Sequence, residues 1–80
     1  MRVLFFGRLR EAAGCPELHC DEELGTVADL RDWLATRDPS LGQALRRPGV
    51  RVARNQAFCG WSEPIAGASE VAFMSPLSGG

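Results

Sequence analysis

The sequence is short, nearly neutral and mixed in composition, which excludes several classes of protein. Its 80 residues are 45% hydrophobic and 24% charged, with a net charge of −1, as in an ordinary globular domain. The near-zero charge gives no reason to expect nucleic acid or an anionic membrane as a partner. A chain of this length has little room for a deep catalytic cleft, so a binding or carrier role is favoured. Because the first apolar run stops at Gly7, we expect neither a signal peptide nor a spanning helix, and therefore a cytoplasmic protein.

Cysteine and histidine usage indicates neither a disulfide framework nor a metal site. Cys15, Cys20 and Cys59 are odd in number and form no CxxC pair. We therefore expect free, buried thiols. His19, the only histidine, adjoins Cys20, but adjacent strand residues face opposite sides, which argues against a catalytic pair.

The chain begins with a predicted strand over residues 2–6, whose bulky side chains are apolar on both faces. Such a strand is either sandwiched in a sheet or offers its outer face to a partner. Residues 9–13 predict a helical turn closed by Gly14, and residues 17–20 predict a second short strand.

The main helix is predicted over residues 27–37. Thr26 is placed to cap it, and Asp29 completes a capping box with a shorter acid than usual. An apolar stripe at helical spacing comprises Val27, Leu30 and Leu34, with Trp33 beside it. Asp38-Pro39 ends the helix.

The second half of the chain predicts one more helix and three strands. Residues 40–45 favour a short helix with Leu41 and Leu45 inward, and residues 50–55 a third strand ending at Asn55, which tolerates the positive φ of a turn. Residues 57–59 and 70–74 predict the last two strands. The simplest way to bury these elements is a mixed sheet with the main helix packed on one face. This is an α+β fold, the ubiquitin-like β-grasp, with the first and last strands central.

The same scheme predicts an exposed apolar patch on the other face of the sheet. If the alternate residues at 3, 5, 71 and 73 face the helix, then Leu4, Phe6, Ala72 and Met74 face outward, and Phe58 joins them. An exposed apolar patch of this size marks a partner site. The alternatives are a register shifted by one residue or loops that cover both faces.

The chain ends in Gly79-Gly80 after a neck over residues 75–78. Exposed terminal glycines gain nothing for a folded domain, because glycine loses the most conformational freedom on ordering. In a tail that enters a narrow channel, by contrast, terminal glycines fit where larger side chains would not, and they leave the terminal carboxylate unhindered. The alternative is a frayed terminus. We expect residues 1–76 to form the domain and residues 77–80 a flexible tail.

Four segments together resemble one family. They are residues 3–11, 26–31, 52–56 and 70–80, and the closing segment with Gly79-Gly80 is the most specific. The resemblance as a whole covers essentially the whole chain, in the order and length of the family. The family is the small, sulfur-carrier subunit of molybdopterin synthase, MoaD. The resemblance implies that an E1-like activating enzyme adenylates Gly80 with MgATP and that sulfur, from a sulfur-donating enzyme, replaces AMP to give a thiocarboxylate.

The resemblance also implies partners and a docking surface. The large synthase subunit accepts the tail, forms a heterotetramer with the chain, and moves sulfur onto cyclic pyranopterin monophosphate to build the dithiolene. The chain itself binds no cofactor or metal and is not an enzyme on its own, because the catalytic groups belong to the partner. The implied partner-binding residues are Phe6, Arg10, Phe58, Met74, Pro76 and Leu77.

Three positions depart from the family pattern. Ser75 stands where a second proline is common, which predicts a looser neck because proline would have fixed φ. Met74 replaces a frequent aromatic residue with a more adaptable apolar one. Arg54 stands where a β-branched residue is more common, and we expect its side chain to reach solvent from a half-buried site.

Three other functions remain open on the residues alone. The first is a sulfur carrier for thiamine or cysteine synthesis, and the second is a protein modifier that forms an isopeptide through Gly80. All nine basic residues are arginine, so a modifier of this kind has no lysine with which to form chains of itself. The third is an interaction module whose glycines carry no chemistry, which deletion of Gly80 would leave functional.

Overall fold

The computed structural model describes residues 1–76, which form five strands and three helices. The elements are β1 (Arg2–Phe6), α1 (Arg8–Ala13), β2 (Glu17–His19), α2 (Val27–Arg37), α3 (Pro39–Leu45), β3 (Arg51–Arg54), β4 (Ala57–Cys59) and β5 (Glu70–Met74). Within these residues no helix is long and apolar enough to cross a membrane.

The strands form one mixed sheet in the order β2-β1-β5-β3-β4. β1 and β5 are parallel, whereas the β1–β2, β3–β5 and β3–β4 pairs are antiparallel. β5 therefore lies at the centre with β1 beside it, as their apolar composition predicts. Since β1 and β5 run in the same direction, the chain leaves both strands at the same edge of the sheet.

The helices cover one face of the sheet and share its core. Phe5 and Phe73 are fully buried on the inner face, with their ring centroids 6.2 Å apart. They belong to one cluster of buried side chains that includes Leu9 of α1, Leu34 of α2 and Leu45 of α3. The predicted mixed sheet with a main helix on one face is confirmed.

Helix α2 has the predicted limits because its ends are specified locally. The Thr26 hydroxyl accepts a hydrogen bond from the Asp29 backbone N–H at 3.2 Å, and the Asp29 carboxylate accepts one from the Thr26 backbone N–H at 3.0 Å, so the capping box is present. At the other end Asp38 caps α3, which begins at Pro39. β3 is one residue shorter than predicted at each end; after Arg54 the chain turns through Asn55 and Gln56, both with positive φ.

Candidate functional site: the outer sheet face and the neck

Strand alternation places six apolar side chains on the face of the sheet that the helices do not cover. In the sheet register Phe6 lies opposite Met74, Ala72 lies between Leu4 and Ala53, and Phe58 lies opposite Ala53. We call this set the outer face: Leu4, Phe6, Ala53, Phe58, Ala72 and Met74. With Arg2, Gln56 and Glu70 these side chains line a shallow depression of about 510 Å³.

The outer face leaves large apolar side chains in contact with solvent. Phe6 is 40% exposed and Phe58 is 60% exposed, whereas Ala72 and Ala53 are buried. A small domain rarely exposes two such rings unless a partner covers them. The predicted outward orientation of Phe6, Phe58 and Met74 is confirmed; their role in binding stays a prediction.

Ala53 of the outer face and Arg51 beside it were missed by sequence reasoning. Both belong to β3, where alternate side chains point to the outer face, and Arg51 lies opposite Met74. The Arg51 guanidinium stacks over the Phe58 ring, 3.8 Å from its centroid, a cation–π contact that restrains the exposed ring. Only the β3–β5 register could have revealed the position of Arg51.

The opposite end of the outer face carries paired charges. The Arg2 guanidinium lies 3.4 Å from the Glu17 carboxylate and 3.6 Å from that of Glu70. The hydrogen bond to Glu17, followed by the charge of Glu17, raises the pKa of Arg2. This end of the face is therefore charged but locally balanced.

The neck is tied to the body of the domain. The Ser75 hydroxyl accepts a hydrogen bond from the Arg8 backbone N–H at 2.9 Å, a contact that a proline side chain could not make. Pro76 packs so closely on Gly49 that a Cβ at Gly49 would lie 2.7 Å from the Pro76 Cγ. Up to Pro76 the hydroxyl therefore supplies a tie in place of the restriction on φ that a second proline would have given; the looser neck expected at Ser75 stays a prediction.

The remaining predicted site residues are dispersed or undescribed. Arg10 is exposed on α1 and does not line the outer-face depression. Pro76 lines a groove between α1 and α3. Leu77, Gly79 and Gly80 lie outside the described residues. Arg54 is half-buried, as expected; it lies opposite the buried Val71, and its guanidinium donates to the Ala66 carbonyl at 3.2 Å.

The thiols and the histidine show no arrangement for nucleophilic catalysis in the described part of the chain. All three thiols are free, as expected, but the expected burial holds only for Cys20 and is wrong for Cys15 and Cys59, which are partly exposed. Burial, and secondly the charge of Glu63, raises the pKa of the Cys59 thiol, which disfavours the reactive thiolate. His19 is exposed, and its Nε2 lies 2.7 Å from the Asp21 Oδ1, so it does not pair with Cys20. Over residues 1–76 no three His, Cys, Asp or Glu residues are grouped to hold a metal ion.

Comparison with known proteins decides the family. The ThiS family matches residues 3–80. The chain belongs to the ThiS family. The molybdopterin synthase sulfur carrier subunit of Escherichia coli (strain K12) is 31% identical over 80 residues, which are 100% of this chain and 99% of that relative. The subunit of the same name from Haemophilus influenzae is 29% identical with the same coverage. The resemblance to the molybdopterin synthase carriers is therefore confirmed.

Solved structures confirm the ubiquitin-like β-grasp fold of this ThiS-family chain. SAMP1 from Haloferax volcanii superposes with a TM-score of 0.83 at 28% identity, covering 99% of this chain and 97% of that one. The small archaeal modifier protein 1 from Methanosarcina acetivorans gives a TM-score of 0.82 at 25% identity, covering 99% and 94%. The fold extends over nearly the full length of each protein.

Proposed function

We propose that this ThiS-family chain is the sulfur-carrier subunit of a molybdopterin synthase and acts in the cytoplasm. The observation that carries the proposal is the full-length match to the Escherichia coli sulfur carrier subunit, within a family match that runs through Gly80. The outer face supports it, since the exposed Phe6 and Phe58 rings offer a docking surface on the domain that bears the Gly79-Gly80 tail.

The proposed chemistry takes place on the Gly80 carboxylate. A carboxylate is a poor electrophile, because its charge repels nucleophiles and oxide is a poor leaving group. An activating enzyme therefore joins it to AMP from MgATP, with release of pyrophosphate. A sulfur nucleophile then attacks the carbonyl carbon and AMP leaves, so that one difficult substitution becomes two easier steps.

The domain delivers the resulting thiocarboxylate to its acceptor, cyclic pyranopterin monophosphate. Docking of the outer face through Phe6, Phe58 and Met74 holds the chain on the large subunit, and the neck at Pro76 and Leu77 leads into the partner's pocket. Tethering replaces a bimolecular encounter with a positioned one. The large subunit supplies the catalytic groups, and the two subunits assemble as a heterotetramer.

Intact-mass spectrometry tests the carrier chemistry directly. The chain is incubated with a candidate activating enzyme, MgATP and a sulfur source, and we expect a mass increase equal to replacement of one oxygen by sulfur at Gly80. A variant that lacks Gly80 is the matched control and should fold normally but acquire no sulfur. Absence of both adenylate and thiocarboxylate with every activating enzyme of the same organism would refute the proposal.

A second candidate, a protein modifier, is favoured by the two solved structures named as archaeal modifiers. In that case Gly80 would form isopeptide bonds with lysines of other proteins, and this chain, which has no lysine, would not extend the conjugate through its own side chains. Mass spectrometry of trypsin-digested cell extract separates the two. Lysines that carry residues 55–80 of this chain, the fragment released by cleavage after Arg54, indicate a modifier, and a thiocarboxylate without such remnants indicates a carrier.

A further inference from the structure

Three arginines on separate segments lie around the neck. Arg8 follows β1, and its backbone N–H holds the Ser75 hydroxyl at 2.9 Å. Arg47 follows α3 and lines, together with Arg8, Ser75 and Pro76, a groove of about 520 Å³. Arg51 begins β3 opposite Met74, the last residue of β5. We call Arg8, Arg47 and Arg51 the neck arginines.

Sheet topology brings them together. Because β1 and β5 are parallel, the first residues of α1 and the neck emerge at one edge of the sheet. Because β3 is antiparallel to β5, its first residue lies at that same edge. Arg8 lies far in the sequence from Arg47 and Arg51, so the arrangement of all three exists only in the folded protein.

The neck arginines have no acidic partner among the described residues. The ion pairs of residues 1–76 involve Arg2, His19, Arg31 and Arg46, and no acidic side chain lines the groove shared by Arg8 and Arg47. All three neck arginines are exposed. The edge that the tail leaves therefore carries a concentrated positive charge.

A cluster of three acidic residues lies at the other edge of the sheet. Asp21, Glu22 and Glu23 follow β2 and line a depression next to Met1, where β1 begins. Although the net charge is only −1, positive and negative side chains are therefore grouped at opposite ends of the strands. A charge separation of this kind orients a protein during diffusional encounter.

We propose that the neck arginines form a docking collar for carboxylates that surround the mouth of the partner's tail channel. The inference rests on the proposed function, since a tail that enters a channel brings the surroundings of its neck against the rim of that channel. Unpaired cations are costly to desolvate at an interface. A rim that supplies carboxylates removes this cost and accelerates association by electrostatic attraction.

A protein rim fits the arrangement better than a small phosphate compound. Arg8 and Arg47 line the groove on the helical side of the neck, whereas the Arg51 side chain lies on the outer face over Phe58. The three guanidinium groups therefore lie on two faces of the fold at the edge where the neck leaves, instead of converging on one point. This surface also adjoins the outer face, so a single partner can cover both.

The test is the association rate with the purified large synthase subunit of the same organism, measured by stopped-flow fluorescence. For the unmodified chain we expect the rate to fall about tenfold or more between about 50 mM and about 500 mM salt, as for electrostatically steered encounters. The double variant Arg8→Glu/Arg47→Glu should associate about tenfold or more slowly at low salt and approach the unmodified chain at high salt. Arg51→Glu should act in the same direction.

The matched control is Arg37→Glu/Arg46→Glu, which makes the same change in net charge on the helical layer. Arg37 lies over Trp33, Arg46 pairs with Asp32, and neither lines the groove of Arg8 and Arg47, so the association rate of this control should stay within about threefold of that of the unmodified chain. Thermal unfolding checks that every variant is folded.

Three outcomes would overturn the collar. One is equal rates for the collar and control variants while Gly80 still acquires sulfur, which would leave the proposed function intact. Another is that the isolated chain binds MgATP and that the double variant Arg8→Glu/Arg47→Glu does not, which would assign the arginines to a nucleotide. The third is no binding of the large subunit together with no sulfur at Gly80, which would overturn both proposals.

Discussion

Gly7 is the residue on which the position of the neck depends. Its φ of 65° and ψ of −139° lie in a region that is almost restricted to glycine, and a Cβ at this position would collide with the Ser75 hydroxyl. Gly7→Ala should therefore lower the free energy of unfolding by about 1–3 kcal/mol through backbone strain, and should also displace Ser75 from the Arg8 N–H. Urea denaturation measures the loss.

Gly14→Ala is the matched control for this prediction. Gly14 also has a positive φ, 77°, but no atom lies within 4 Å of its Cβ position, so only a backbone cost of about 1 kcal/mol is expected. Adding Ser75→Ala to Gly7→Ala should restore part of the lost stability, because it removes the colliding oxygen. Equal losses for the two glycine variants would show that the neck does not pack on Gly7 as described.

At the level of the element, α2 shows what a capping box contributes. Thr26→Ala removes the acceptor for the Asp29 backbone N–H and should lower the free energy of unfolding by about 1 kcal/mol. Thr36→Ala in the last turns of the same helix is the control. The Thr36 hydroxyl donates only to the Asp32 carbonyl, and alanine is the better helix former, so its effect should be within a few tenths of a kcal/mol. A Thr26→Ala loss no larger than that of Thr36→Ala would contradict the role of the box.

The elements that could be predicted from sequence are those with local signals. α2 begins and ends at the predicted residues, because Thr26, Asp29 and Pro39 specify its limits within a few positions. The packing of α3 on α2 could not be predicted, since it depends on a close approach of Gly42 to Ala35. The tie between Ser75 and Arg8 likewise joins residues 67 positions apart, which no local pattern encodes.

At the level of the whole molecule, the parts of the candidate site that could be predicted from the sequence are those that depend only on strand alternation. The orientation of Leu4, Phe6 and Met74 follows from the period of two residues along β1 and β5. The positions of Arg51 and the other neck arginines required the order of the strands, because β3 pairs on one side with β5, the last strand in the sequence, as well as with its neighbour β4 on the other. The positions of the charged side chains at the neck therefore depend on sheet topology, whereas the orientation of the apolar side chains follows from the alternation along each strand.

The two faces of the sheet differ in exposure, and the adjacent Phe5 and Phe6 of β1, one on each face, allow their contributions to be measured separately. Phe5 is fully buried, and Phe5→Ala should cost about 3–5 kcal/mol of stability through the lost burial and the cavity. Phe6 is 40% exposed, so Phe6→Ala should cost about 1 kcal/mol or less.

Binding to the large synthase subunit should depend on Phe6 more than on Phe5, the reverse of the order expected for stability. An exposed ring that a partner covers contributes to affinity, so Phe6→Ala should weaken the Kd by about tenfold or more, as measured by isothermal titration calorimetry on protein shown to be folded. Phe5→Leu, which keeps the core filled, should bind within about threefold of the unmodified chain, because Phe5 lies on the helical side. An unchanged Kd for Phe6→Ala, or a loss of stability equal to that of Phe5→Ala, would show that the outer face is part of the core and not a docking surface.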